Sequence, residues 1–298
     1  MVTIPGPPCS TLSRALDEPF AGSAATATTW LCVEQPGPWG RDALVESHLD
    51  HDVGAELATR AKGTGVRVVL IRRPGRHPDA IAPHRVYLAH TSPGRSFLRA
   101  DTLRDPKHLL DLDFHALGAG THHGFGAAVD DPLLLVCTNG RRDVCCAVRG
   151  RPLATEMFAS HGDAVWECSH IGGHRFAPTA LLLPTGYSYG DLSPERARAV
   201  LDGGAVVTDR CRGCSTWTPP GQAAELAVRT LTHTVDPDAL SVRVPTRNED
   251  GDWRVVVSHV DERSWVVTVA ERHNAPDRPA SCGAAASPSI AHIVERID

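Results

Sequence analysis

The 298-residue chain is poor in aromatic residues, which make up 5% of it, so Val, Leu, Ile and Ala must fill most of any core. It has no excess of positive charge. Thirty Lys and Arg stand against 35 Asp and Glu, a formal net charge of -5, which argues against nucleic acid or an anionic membrane as a partner. Its apolar runs, such as residues 133–137 and 180–183, fall far below the roughly 18 residues of a membrane-spanning helix. Residues 1–8 lack the basic start and apolar stretch of an export signal, so a cytoplasmic location without membrane attachment is expected. An even set of cysteines is also missing. Nine is an odd number for a disulfide framework, and in a reducing compartment metal binding or redox chemistry becomes the expectation.

A phosphate cradle is absent too. The Gly-rich stretch 118–126 has no following Lys-Ser/Thr and no clear helix after it, so it reads as a linker. It divides the chain into an α/β domain over residues 1–126, a second over 127–235, and a β-rich extension and tail over 236–298. No internal repeat is visible. Residues 30–34, 66–71 and 85–90 read as strands, and 42–62 as a helix with apolar residues three and four apart. Residues 1–30 read as loop with Cys9 a free thiol, and Arg72, Arg73 and Arg76 as a solvated cluster. In the second domain residues 132–136, 164–167 and 180–184 read as strands and 151–161 as a helix. Ser193 caps another helix with Pro194 in its first position, and residues 223–232 form the last. Such an order of strands and helices is that of an α/β fold. Residues 253–259 and 264–270 read as a hairpin, and 274–289 as a loose tail with Cys282 an inert exposed thiol.

The chemistry concentrates between Cys137 and His174. Cys137-Thr-Asn-Gly-Arg-Arg-Asp-Val-Cys145-Cys146 follows one strand, and Cys168-Ser-His170-Ile-Gly-Gly-His174 ends another. A strand end fixes a first ligand and a loop brings the others round a metal. Gly172 and Gly173 let the backbone between the two histidines take φ > 0. Arg141, Arg142 or Arg149 would offset thiolate charge. Two thiolates and two imidazoles suit one zinc, or a two-iron cluster with one iron held by histidines. Cys211-Arg-Gly-Cys214 offers a different chemistry, thiol–disulfide exchange, but its position late in the domain does not match the usual redox motif. No carboxylate pair of a glycoside hydrolase is recognisable.

The Cys137-to-Cys146 segment, His170-Ile-Gly-Gly-His174-Arg-Phe-Ala and Leu183-Pro-Thr-Gly-Tyr-Ser-Tyr-Gly190 together resemble the sucrase/ferredoxin-like family. The resemblance extends from about residue 33 to about 230. It implies a thioredoxin-like ferredoxin domain preceded by a second thioredoxin-like unit. It also implies a [2Fe-2S] cluster held by Cys137, Cys146, His170 and His174, and a role as an electron carrier to an unidentified redox partner protein rather than a catalyst. The resemblance, through the family's nine-residue offset from the first Cys, implies Cys146 rather than Cys145. Cys168 stands beside the set with its role open.

Overall fold

The structure, a computed structural model, describes residues 6–76 and 83–298. The first five residues of the expected N-terminal loop lie outside that range. Ten strands form one sheet: β1 (Thr29–Glu34), β2 (Val66–Arg72), β3 (His84–His90), β4 (Phe97–Leu103), β5 (Ala127–Ala128), β6 (Leu133–Cys137), β7 (Val165–Cys168), β8 (Ala180–Leu183), β9 (Tyr187–Tyr189) and β10 (Cys211–Cys214). Six α-helices lie among the described residues: α1 (Cys9–Ala15), α2 (His51–Ala61), α3 (Phe114–Gly118), α4 (Val144–His161), α5 (Pro194–Asp202) and α6 (Pro219–Thr232).

The sheet order is β10-β9-β8-β6-β7-β2-β1-β3-β4-β5. It contains the same connectivity twice. In the first half, β1 and β2 pair in parallel across α2, β3 and β4 add antiparallel on the side of β1, and β5 follows α3 to the edge. In the second half β6, α4, β7, β8, β9, α5 and β10 repeat each step. The repeat is one of topology, and the unequal loops of the two halves keep it out of the sequence. The halves join where β2 pairs antiparallel with β7 over two residue pairs, Ile71 with Cys168 and Arg72 with Glu167.

Alternation along the strands sets the packing. Leu31 and Val33 pack with α2 and α3, and Leu134 and Val136 with α4 and α5. Trp30, Cys32, Leu133, Leu135, Cys137 and Trp166 share one core on the other side, which spans both halves. Burying each large apolar side chain contributes about 1.5–3 kcal/mol, so the continuous runs of β1 and β6 are those of strands covered on both faces.

A second, smaller sheet is built from β11 (Leu240–Val242), β12 (Thr246–Arg247), β13 (Trp253–His259), β14 (Ser264–His273) and β17 (Ile290–Ile297), while β15 (Arg278–Pro279) and β16 (Ala286–Ser287) pair with each other. Its valines pack on Ala223, Ala224 and Val228 of α6. In turn α6 is tied to β9 by a buried trio: the Tyr187 hydroxyl donates to Glu225 at 2.7 Å, and Arg229 bonds both. No helix of the described residues is long and apolar enough to cross a membrane.

Several expectations need correction. Part of the supposed N-terminal loop is helix α1, with Cys9 buried in its first turn. The helix expected over 42–62 starts only at His51, because the Asp50 carboxylate accepts from the amides of Asp52 and Val53 and caps it there. The helix expected from residue 151 starts at Val144 and carries Pro152 inside it. Arg72 and Arg73 are not solvated loop residues. Arg72 is buried at the end of β2 in a 2.6 Å ion pair with Glu167 and lies over Trp39, and Arg73 lies over Trp166. The tail folds back on the body: buried Arg278 bonds Glu18, which also holds Arg175.

Candidate metal centre

Adjacent parallel strands β6 and β7 end side by side, with Cys137 registered against Cys168. Past these ends the chain turns twice. After β6, Asn139 closes a turn by accepting from the amides of Arg141 and Arg142. Asp143 then caps α4, its Oδ1 accepting from the Cys145 amide at 2.9 Å. Cys145 and Cys146 are therefore first-turn helical residues, not the end of a loop. Successive helical side chains point about 100° apart, and the two thiols face different surroundings.

Cys146 turns towards Cys137. His170, two residues beyond β7, brings Nδ1 to 3.8 Å from the Cys137 sulfur and 3.9 Å from that of Cys146. The donor atoms of these three residues lie within 4.8 Å of one another, close enough to share a metal. His174 is the next donor out, with Nδ1 3.4 Å from His170 Nε2. Its own Nε2 is buried and has no hydrogen-bond partner among the described residues, with Asp143 Oδ2 3.8 Å away. Two thiols and one imidazole that converge, with a second imidazole alongside, fit a bound metal group. Cys168 is fully buried at the end of β7, and burial raises its thiol well above its ordinary value. It belongs to neither group of potential metal donors found among the described residues.

The two thiols of the site share a proton unequally. A hydrogen bond from Cys146 lowers Cys137 well below its ordinary value, and the same bond together with burial raises Cys146. Burial lowers His174 against the opposing pull of Asp143. The cations behind the site are not the expected ones. Arg141 is exposed, and Arg149 bonds Ser10 and Thr11 instead. Arg67 and Arg212 take that place: Arg67 donates to the His170 carbonyl and Arg212 to that of Gly172. Both feel the charge of Cys137, although burial lowers both, Arg212 to about 9. Gly173 has φ +72°, and a Cβ there would run into the Arg212 guanidinium, so glycine is the residue this crossing admits.

Cys145 faces away from this group, towards Cys9 and Cys282. Sequence reasoning missed that assembly, whose members are far apart in the chain; the one local signal was Asp143 as a helix cap two residues before Cys145. The alternative redox pair, Cys211 and Cys214, lies wholly buried on β10. Burial raises Cys211 and lifts Cys214 to about 12, and each thiol donates to a backbone carbonyl. Such thiols lack the exposure and low pKa that disulfide exchange requires.

A curated relative is Altered inheritance of mitochondria protein 32 of Meyerozyma guilliermondii, 32% identical over an alignment of 100 residues that covers 28% of this chain and 35% of the relative. The match thus spans about a third of that protein's length. No solved structure matches. The family model described as sucrase/ferredoxin-like matches residues 20–213, which include both strand ends, α4 and all four donors, and the chain belongs to that family.

Proposed function

From that membership we propose that the protein is an electron carrier holding a [2Fe-2S] cluster through Cys137, Cys146, His170 and His174. The observation that carries the reading is the convergence of Cys137, Cys146 and His170 donors from two adjacent strand ends, with His174 alongside. The repeated connectivity of the two halves supports a pair of thioredoxin-like units, the second bearing the site. When bound, the cluster supplies reversible one-electron chemistry, and histidine ligation raises its potential relative to an all-thiolate site.

The chain's own groups set the surroundings. The buried strand ends keep water from the two sulfurs, and Arg67 and Arg212 balance thiolate charge. The partner in this reading is a redox protein, and the compartment is the cytoplasm. Anaerobic purification, an iron count, a visible spectrum and the paramagnetic signal of the reduced protein test it together. Two irons per chain, with loss of the spectrum in His170→Ala and His174→Ala, is the expected result. A colourless, iron-free protein, or an unchanged spectrum in both variants, overturns it.

A further inference from the structure

A second group of donors lies on the other side of Asp143. Cys9 in the first turn of α1, Cys145 in the first turn of α4 and Cys282 in the tail bring their sulfurs together from segments up to 273 residues apart. The three separations are 3.3 Å for Cys145 and Cys282, 3.6 Å for Cys282 and Cys9, and 3.7 Å for Cys9 and Cys145. Both carboxylate oxygens of Asp143 stand 3.7 Å from the Cys9 sulfur. All four donors lie within 4.8 Å of one another, and none of the cysteines forms a disulfide.

A tetrahedral zinc with Zn–S bonds of about 2.3 Å separates its sulfurs by ~3.8 Å. The near-equilateral trio is built on that scale. It is too tight for sulfurs spread over two irons, and a disulfide would leave one thiol over. Hydrogen-bond donors face two of the three sulfurs. The Ser10 hydroxyl donates to the Cys145 sulfur at 3.2 Å, the Cys9 amide points at the Cys282 sulfur at 3.4 Å, and Cys145 sits at the N-terminal end of the 18-residue helix α4. The Asp143 side chain is fully buried, its oxygens fixed by the amides of Cys145 and Cys282.

We propose that Cys9, Cys145 and Cys282 form a structural zinc site, with the Asp143 carboxylate as fourth ligand, that fastens helix α1 and the segment around Cys282 over the first metal centre. On binding, Zn(II) forms three Zn–S bonds and one Zn–O bond, and the thiol protons pass to solvent. No electron is transferred. The choice of zinc follows from three soft thiolates around a closed site.

The site is independent of the iron reading, and counting both metals in the same samples keeps the two distinguishable. The full chain is expressed with zinc and iron supplied, dialysed against a weak chelator, and analysed by elemental analysis and native mass spectrometry. One zinc per chain is expected in the wild type. Cys9→Ser and Cys282→Ser should each lose at least nine-tenths of it while iron and the visible spectrum stay unchanged. A wild-type protein without zinc, or variants that keep it, overturns the proposal. So does loss of iron in step with zinc, which would assign these thiols to the iron site. Should the variants not fold, the wild type still decides. Thiol counting under denaturing conditions with a chelator present should find all three cysteines reduced, and an oxidised pair there overturns the site.

Discussion

At the scale of single residues, neighbouring cysteines separate by chemistry. Cys146→Ser should abolish the visible spectrum of the purified protein, whereas Cys145→Ser should leave it in place. Equal loss in both would show that the helical geometry does not divide them. Gly173→Ala forces a side chain into φ +72° and against Arg212. A non-glycine residue held in that region costs about 1–3 kcal/mol, so a urea titration should show a loss of that size together with lower iron content. These residues were unevenly legible. The four expected donors, Cys137, Cys146, His170 and His174, could be named only through the family resemblance, and the structure brings the first three within 4.8 Å of one another. Arg67 and Arg212 could not, because they reach the site from strands β2 and β10, and no local pattern marks an arginine whose partner is a carbonyl 103 or 40 residues away.

Among the elements, the seam between the halves carries the sharpest expectation. It consists of two residue pairs, closed by the buried Arg72–Glu167 ion pair, and Glu167 also accepts from the Thr138 hydroxyl just beyond Cys137. Arg72→Met leaves a buried carboxylate without its cation, a change that costs about 3–5 kcal/mol. Denaturant unfolding should show that loss, and the visible spectrum should bleach at lower denaturant than in the wild type. Strands β1, β2 and β6 could be read directly from apolar runs. The reading of Arg72 failed because β2 runs one residue further than its apolar run, and what holds that residue is a carboxylate on β7. Helix α4 was read late for a different reason. Pro152 looks like a first-turn proline, and the true start, capped by Asp143, lies over two turns earlier.

For the whole molecule, Glu18 is the junction. It joins the N-terminal segment to Arg175, just after His174, and to Arg278 of the tail. Burial alone would raise this carboxyl, but the hydrogen bond from Arg278 and the charge and hydrogen bond of Arg175 outweigh it and hold it below its ordinary value of 4.5. Its clamp is therefore complete above the ordinary glutamate range and is lost as pH falls through the lower, folded value. The protection factors of the tail amides should fall on acidification below about pH 4.5, and Glu18→Gln should lower them already at neutral pH. Equal protection at both pH values in the wild type would refute this. The tail read as loose from its Pro and Ala content, since nothing in its composition announces a partner near residue 18.

The distance along the chain between Cys9 and Cys282 also has a bearing on biosynthesis. Synthesis runs from the first residue to the last, so the donors from Cys137 to His174 are all made while about a hundred residues, Cys282 among them, are still to come. The three-sulfur group can close only after Cys282 has been made. A nascent chain stalled before residue 282 would hold Cys137, Cys146, His170 and His174 under an open cover, giving delivery of the proposed cluster a window that shuts when the segment around Cys282 folds down.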